Sequence, residues 1–324
     1  MKVAVTRIIP EAGLGLLRAA ADVDVWTDPL PPSRAELLRI GSGCDGLLTL
    51  LTDPVDGDLL DALTTVRVVS NFAVGYDNID VPACTAHGVA VCTTPDVLTE
   101  TTADYAFGLL MAVARRVVDG ARAASGGAWR TWEPMGFLGP DIHGATLGIV
   151  GMGRIGSAVA ARARGFGMRV LYADSRPAPG AESATGATRR ELDDLLGESD
   201  FVTIHVPLTP ETRGLIGPRE LALMKPTAVL INTSRGPVVQ TDALTRALDQ
   251  GSIWGAGLDV TDPEPLPADS PLLHMQQVVV TPHIASASEA TRSRMAELAA
   301  ENVIAVLRGE TPPRCLNPEV LGRG

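Results

Sequence analysis

Aromatic residues, cysteines and positive charge are all scarce in this chain, and each shortage narrows what the protein can be. Aromatic side chains make up 4% of the 324 residues while Ala, Leu and Val abound, a balance that suits helices packed on parallel sheets. The four cysteines, Cys44, Cys84, Cys92 and Cys315, form no CxxC pair and no CxxH spacing. That argues against a metal site and a disulfide framework and makes a reducing compartment the default. Lys and Arg number 27 against 38 Asp and Glu, for a net charge of −11. With no basic stripe, nucleic acid is excluded as a partner, and the acidic balance reads as solubility. No apolar run approaches the roughly 18 residues of a membrane span. The apolar start of the chain is broken by Arg7, Pro10 and Glu11 and lacks a signal-peptide core and cleavage site. The expectation is a cytoplasmic protein without a membrane partner.

What is present is a globular composition, 45% hydrophobic and 20% charged, on a chain long enough for two domains. Short apolar runs alternate with helical stretches from the start. Strands are expected at Lys2–Ile8, Gly46–Leu51, Val66–Asn71 and Val89–Cys92, with helices at Glu11–Ala21 and Pro54–Leu63. Such alternation implies a parallel sheet covered on both faces. Glu100–Val118 reads as one long helix, followed by a Gly-rich stretch, Gly126–His143, that holds Trp129, Trp132 and Phe137. A second series of six strands follows, at Thr146–Val150, Arg169–Tyr172, Phe201–Ile204, Ala228–Asn232, Gly255–Asp259 and Val278–Thr281. Six fit two mononucleotide-binding halves. A last helix, Ser288–Leu307, with Gly309 as its stop, must return to the N-terminal domain if the middle of the chain is one unit.

The most specific local signal is Gly151-Met152-Gly153-Arg154-Ile155-Gly156, between the strand Leu147–Val150 and a helical pattern from Ser157. In that setting the first glycine makes a tight turn, the second admits a pyrophosphate to the backbone, and the third lets helix and strand pack closely. Asp174 follows eighteen residues beyond Gly156, after the next strand, where an acid binds the adenosine ribose hydroxyls and repels a 2′-phosphate. The expected cofactor is NAD(H), with NADP(H) left open by Arg176.

Three segments stand at the ends of later strands, where ligands of open parallel sheets bind. They are Asn232-Thr233-Ser234-Arg235-Gly236, Asp259-Val260-Thr261-Asp262-Pro263-Glu264-Pro265 and Thr281-Pro282-His283-Ile284. Singly, the arginine reads as an ion-pair partner, the Asp-Pro-Glu-Pro run as a stiff turn and the histidine as structural. Together, behind a dinucleotide fingerprint, they supply what reduction of a 2-keto acid needs. Arginine grips a carboxylate and polarises the ketone, histidine protonates the oxygen, and a glutamate beside the ring favours its charged form.

These segments resemble the D-isomer-specific 2-hydroxyacid dehydrogenase family over nearly the whole chain. Phe72-Ala73-Val74-Gly75-Tyr76-Asp77-Asn78-Ile79-Asp80 is similar to its substrate-carboxylate loop, and His205-Val206-Pro207-Leu208-Thr209 to the segment on the adenosine side. Thr131-Trp132-Glu133-Pro134 with Leu138-Gly139 resembles the glyoxylate/hydroxypyruvate reductase branch. The resemblance implies two doubly wound parallel-sheet domains. A Rossmann coenzyme domain (99–285) is inserted into a flavodoxin-like substrate domain (1–98 and 286–324). It implies that Arg235 binds the keto acid, that Glu264 and His283 form the acid/base pair, and that Asp259 holds the nicotinamide carboxamide. Amides at Val74 and Gly75 would receive the substrate carboxylate, with Leu50 and Leu51 lining the pocket. Further cofactor contacts are implied at Thr102, Arg154, Ile155, Ser175, Arg176, Val206, Pro207, Thr212, Thr233, Ser234, His283 and Ala285. A homodimer joined near Trp129–Phe137 is also implied, and no metal.

The sequence departs from the family pattern at Ala285, where glycine is usual, at Thr261, where an aromatic is frequent, and at Gln240, where an acid is frequent. Met135, Gly136 and Phe137 differ from the tryptophan-rich version of the reductase branch. None removes a chemical group from the reaction. The leading expectation is NAD(P)H-dependent reduction of a small 2-keto acid, glyoxylate or hydroxypyruvate, to the R-2-hydroxy acid. The alternatives are a pathway dehydrogenase for a larger keto acid or phosphite, and a non-catalytic dinucleotide-sensing regulator. Val74 stands where phosphite dehydrogenases carry lysine, and Glu264 where formate dehydrogenases carry glutamine.

Overall fold

The computed structural model describes residues 1–322, so the last two positions of the expected C-terminal segment, Arg323 and Gly324, lie outside the described residues. The chain forms two compact units: Met1–Leu98 together with the chain from Ala287 onward, and Thr99–Ser286.

The first unit holds a five-stranded sheet made of β1 (Lys2–Val5), β2 (Asp22–Val25), β3 (Gly46–Thr49), β4 (Val68–Asn71) and β5 (Ala90–Cys92). Its order is β2-β1-β3-β4-β5, all parallel, which is the flavodoxin-like winding. The strands are shorter than their apolar runs suggest. β1 stops at Val5 rather than Ile8, and β3 at Thr49 rather than Leu51, because the chain leaves the ladder there to build loops. Two elements lack a clear signal in the sequence. β2 reads Asp-Val-Asp-Val and lies at the sheet edge, partly exposed along its length, so its alternation runs for only four residues and lacks the apolar run that marks the other strands. Helix Arg34–Gly41 begins with a capping box in which the Ser33 hydroxyl accepts the Glu36 N–H and the Ser33 N–H donates to Glu36. The returning helix Glu289–Leu307 is N-capped by Ser288 and followed by Gly309 at a left-handed φ of 76°. It packs against helix Glu11–Ala20 so closely that a Cβ on Gly13 would lie 2.4 Å from the Ala296 carbonyl oxygen.

The second unit opens with helix Thr99–Ala114. The single helix expected to Val118 ends early because Arg116 takes a left-handed φ of 50°, and a separate helix, Val117–Ser125, follows. The sheet contains β6 (Thr146–Val150), β7 (Arg169–Ala173), β8 (Thr188–Arg189), β9 (Phe201–Ile204), β10 (Val229–Asn232), β11 (Gly255–Leu258) and β12 (Val278–Val280). Its order, β12-β11-β10-β9-β6-β7-β8, is the Rossmann winding with β12 as one further strand, and the strand absent from the six expected in the sequence is β8. At two residues β8 is too short to leave a period in the sequence. Alternate residues of each central strand enter two separate cores. Leu147, Ile149, Val229 and Ile231 face one core, and Val150, Val202, Ile204 and Leu230 the other. That two-sided burial explains why these strands read as continuous apolar runs. Among the described residues, no helix is long and apolar enough to cross a membrane.

Candidate active site

All pairings within the second sheet are parallel, so its strand ends and the loops that follow them share one edge. The winding reverses between β6 and β9, and the glycine loop leaves β6 at that point. Gly151 has φ +97°, and a Cβ there would meet the backbone of His205 and Val206 at 2.9 Å. At Gly156 a Cβ would lie 2.2 Å from the Gly151 carbonyl oxygen, so the helix that starts at Arg154 could not approach its strand. Gly153 is different: it caps that helix, and nothing stands within 4 Å of where its Cβ would be. Two glycines are thus required by the protein's own packing and one leaves open space above a helix N-terminus, with Arg154 and Ile155 in the first turn. This is the arrangement that takes a dinucleotide pyrophosphate.

Asp174, just beyond β7, accepts the Met152 N–H at 2.8 Å and the Arg176 N–H at 3.1 Å. It therefore spans the glycine loop and its own turn while keeping acceptor capacity for a ribose hydroxyl. Ser175 and Arg176 are exposed beside it, and Arg189 of β8 donates to the Asp174 carbonyl at 2.8 Å. After β9, the Thr212 hydroxyl donates to the Pro207 carbonyl (2.6 Å) and accepts the Thr209 N–H (2.8 Å), which closes the 207–212 loop beside Val206. His205 carries its hydrogen bond to Thr203 (2.9 Å), and burial depresses its pKa to about 4.

Three loops beyond β10, β11 and β12 are stitched together. Asn232 holds the first, donating to the Arg235 carbonyl (2.9 Å) and accepting from the N–H and hydroxyl of Ser234 (3.0 and 2.9 Å). A Cβ on Gly236 would fall 1.8 Å from the Thr261 carbonyl oxygen, so glycine is what lets the Arg235 loop lie against the Glu264 loop. Asp259 ties the second loop to the third. Its carboxylate accepts the Thr281 hydroxyl (2.7 Å) and the N–H groups of Ile284 (2.9 Å) and Ala285 (2.7 Å). Burial pushes its pKa up, and those three donors oppose the shift. Asp259 thus clamps the histidine loop while one lone pair of Oδ2 remains for a ligand.

His283 sits at φ +54°, a region uncommon for side-chain-bearing residues, with its N–H shared between the carbonyls of Asp259 (2.9 Å) and Thr281 (3.0 Å). Its Nδ1 lies 2.7 Å from Glu264 Oε1, while Glu264 Oε2 accepts the Thr261 N–H at 3.3 Å. Burial would raise the Glu264 carboxyl, but the His283 bond and charge, the Thr261 amide and the Arg235 charge outweigh it and hold it below the usual range. Arg235 donates to the Ser234 carbonyl at 2.8 Å. Arg235, Glu264 and His283 therefore stand beyond three adjacent strand ends, with the His283 ring held to Glu264 through Nδ1. The Thr233 hydroxyl is buried without a hydrogen-bond partner among the described residues.

Thr102 is buried in helix Thr99–Ala114. Tyr105, on the same helix, has its pKa raised chiefly by burial, with Thr281 opposing the shift, and it does not stand out in the sequence, since a tyrosine in an apolar helix carries no motif. Leu50, Leu51, Val74 and Gly75 lie in the first unit, in loops fastened by a side-chain network. The Leu50 N–H donates to Asp53 at 2.7 Å. Asn78 donates to the carbonyls of Leu50 (3.1 Å) and Asp53 (2.8 Å), and Asn71 donates to the Gly75 carbonyl (3.0 Å) and to Asn78 Oδ1 (3.1 Å). Among the described residues no group of histidines, cysteines and acids could hold a metal ion.

This glycine-loop sheet lies where a family model for the D-isomer specific 2-hydroxyacid dehydrogenase NAD binding domain matches, over residues 107–285. The chain is 54% identical over 321 residues to a glyoxylate reductase of Korarchaeum cryptofilum, covering 99% of this chain and 97% of that one. It is 48% identical over 324 residues to a glyoxylate reductase of Thermococcus litoralis, covering 99% and 98%. The crystal structure of the TT0316 protein from Thermus thermophilus superposes with a TM-score of 0.92 at 47% identity, covering 98% of this chain and 100% of that one. With the sheet order, the glycine loop and the matched residues in agreement, the chain belongs to the D-isomer specific 2-hydroxyacid dehydrogenase family.

Proposed function

We propose that the protein reduces a small 2-keto acid, glyoxylate or hydroxypyruvate foremost, to the R-2-hydroxy acid with NADH. The observation that carries this reading is the 2.7 Å pairing of His283 with Glu264 beside the Arg235 loop, in the unit that bears the dinucleotide loop. The similarity to glyoxylate reductases over 99% of the chain supports the substrate class. Bound NADH supplies the hydride that reaches the ketone carbon. Arg235 holds the carboxylate and the carbonyl in register, and its charge polarises the C=O bond. His283 gives a proton from Nε2 to the oxygen, while Glu264 keeps the ring oriented through Nδ1 and stabilises its charge. Asp259 would hold the nicotinamide carboxamide of the bound cofactor. In the other unit we assign the Val74 and Gly75 amides to the substrate carboxylate, and Leu50 and Leu51 to the walls of the substrate pocket.

Asp174 disfavours a 2′-phosphate by charge, whereas Arg176 and Arg189 offset part of that repulsion, so NADH is preferred with NADPH accepted. Oxidation of NADH and of NADPH with a panel of 2-keto acids tests both points. Turnover is expected with glyoxylate and hydroxypyruvate. Tight NADH binding without turnover on any keto acid would refute the enzyme reading.

We further assign a cytoplasmic homodimer. All four cysteines are free thiols, which suits a reducing compartment. Trp129, Trp132 and Met135 are 72%, 81% and 78% exposed, an apolar stretch that a second subunit would cover. Sedimentation at micromolar concentration is expected to give twice the chain mass, and a monomer under those conditions would refute the dimer.

A further inference from the structure

Two of the four cysteines, more than two hundred positions apart in the chain, meet in the first unit. Beyond helix Glu289–Leu307 the C-terminal segment runs antiparallel beside β5, with Cys315 directly opposite Cys92. The Leu316 N–H donates to the Val91 carbonyl at 2.8 Å, one residue after Cys315 and one before Cys92. That pattern makes Cys92 and Cys315 a non-hydrogen-bonded antiparallel pair, whose Cα atoms are about 4.5 Å apart in regular sheets. A disulfide spans about 4.4–6.8 Å between Cα atoms. The register is pinned on both sides. Asn317 accepts the Val91 N–H (2.8 Å) and donates to the Val89 carbonyl (2.9 Å) and the Thr85 hydroxyl (2.9 Å). Asn302 accepts the Arg314 N–H (2.9 Å) and donates to the Thr93 carbonyl (3.1 Å).

We propose that Cys92 and Cys315 are a redox-responsive dithiol that closes to a disulfide under oxidants of the low-molecular-weight disulfide class, locking the C-terminal segment onto the sheet edge. The Cys315 S–H reaches Asn317 Oδ1 at 3.6 Å. Cys315 is partly exposed and Cys92 buried, which divides the labour. Hydrogen bonding from Cys92 lowers the Cys315 pKa, whereas burial pushes Cys44 up and Cys84 up to about 12. Of these three, only Cys315 is poised as a nucleophile toward a reagent in solution. Its thiolate attacks one sulfur of the reagent, forming a mixed disulfide and expelling a thiolate. Cys92 then gives its proton to solvent and displaces the second thiolate from Cys315. The protein loses two electrons and two protons, and the reagent disulfide becomes two thiols. Dithiols reopen the bond by the same exchange in reverse.

The test treats the full-length protein with oxidised glutathione, counts free thiols after denaturation and maps peptides by mass. The four thiols should fall to two, with Cys92 and Cys315 in one linked peptide pair, and dithiothreitol should restore all four. Cys92→Ser should stop at a glutathione adduct on Cys315, and Cys315→Ser should keep its remaining thiols. The wild-type measurement alone can overturn the proposal. Retention of four thiols, arrest at the mixed disulfide, or a bridge involving Cys44 or Cys84 would each do so.

Discussion

His283 holds its side chain from a backbone conformation that few non-glycine residues adopt, and several hydrogen bonds keep it there. The Asp259 clamp acts on the loop, and Glu264 acts on the ring. On the proposed chemistry, His283→Ala should lower the rate of keto-acid reduction by about 10²–10⁴-fold. NADH affinity, measured by fluorescence titration, should stay within a few-fold, because the imidazole is assigned to the substrate oxygen. A comparable loss of NADH affinity would contradict that assignment. His205 has a different consequence. Burial depresses its pKa to about 4, below the ordinary 6.5, so between these values the unfolded chain binds a proton that the folded chain refuses. Stability is therefore lost as pH falls from 6.5 toward 4, by about 1–2 kcal/mol at about pH 5. The raised His87 pKa, due first to its bond with Asp61, works in the opposite sense, so the comparison must be between variants. The urea midpoint of His205→Gln should fall less between about pH 7 and pH 5 than that of the wild type, and an identical fall would refute the attribution.

Elements are positioned by close approach as much as by apolar area. The helix pair that joins the two chain segments of the first unit meets at Gly13, and neighbouring Gly15 faces solvent on the same helix with only Glu11 nearby. Alanine favours a helix over glycine by about 1 kcal/mol at either position. At Gly15 that preference is unopposed, so Gly15→Ala should raise the thermal midpoint. At Gly13 the added Cβ would sit 2.4 Å from a backbone oxygen, and the resulting overpacking costs about 1–3 kcal/mol. Gly13→Ala should lower the midpoint. A rise with both substitutions would show that the helices part easily. The glycine loop obeys the same logic: Gly151 and Gly156 are needed by the protein's own backbone, and Gly153 by what approaches it.

Across the whole molecule, local chemistry was legible in the sequence. The glycine loop and the motifs around Arg235, Glu264 and His283 stand out because each depends on residues within a few positions of one another, and Asp174 stands out by its fixed spacing from that loop. The central strands stood out because burial on both faces leaves continuous apolar runs. β2 and β8 did not, since an edge strand of four alternating residues has no apolar run and a strand of two residues leaves no period to read. Spacing also could not show that Asp259 clamps the histidine loop, that Gly236 lies under Thr261, or that Asn71 and Asn78 fasten the loops around Leu50 and Gly75. Those relations join positions distant in the chain, and register across a sheet is set by packing rather than by neighbours. The cysteines mark the boundary most plainly. Read along the chain they are scattered and argue against a disulfide framework, whereas folding sets Cys92 opposite Cys315 because the last segment pairs with the edge of the first sheet. Which chemical groups the protein carries, and where its dinucleotide loop lies, follow from the order of residues alone. Which of those groups meet follows only from the folded chain, because every such meeting is a contact between strand ends or edges that the chain reaches by separate routes.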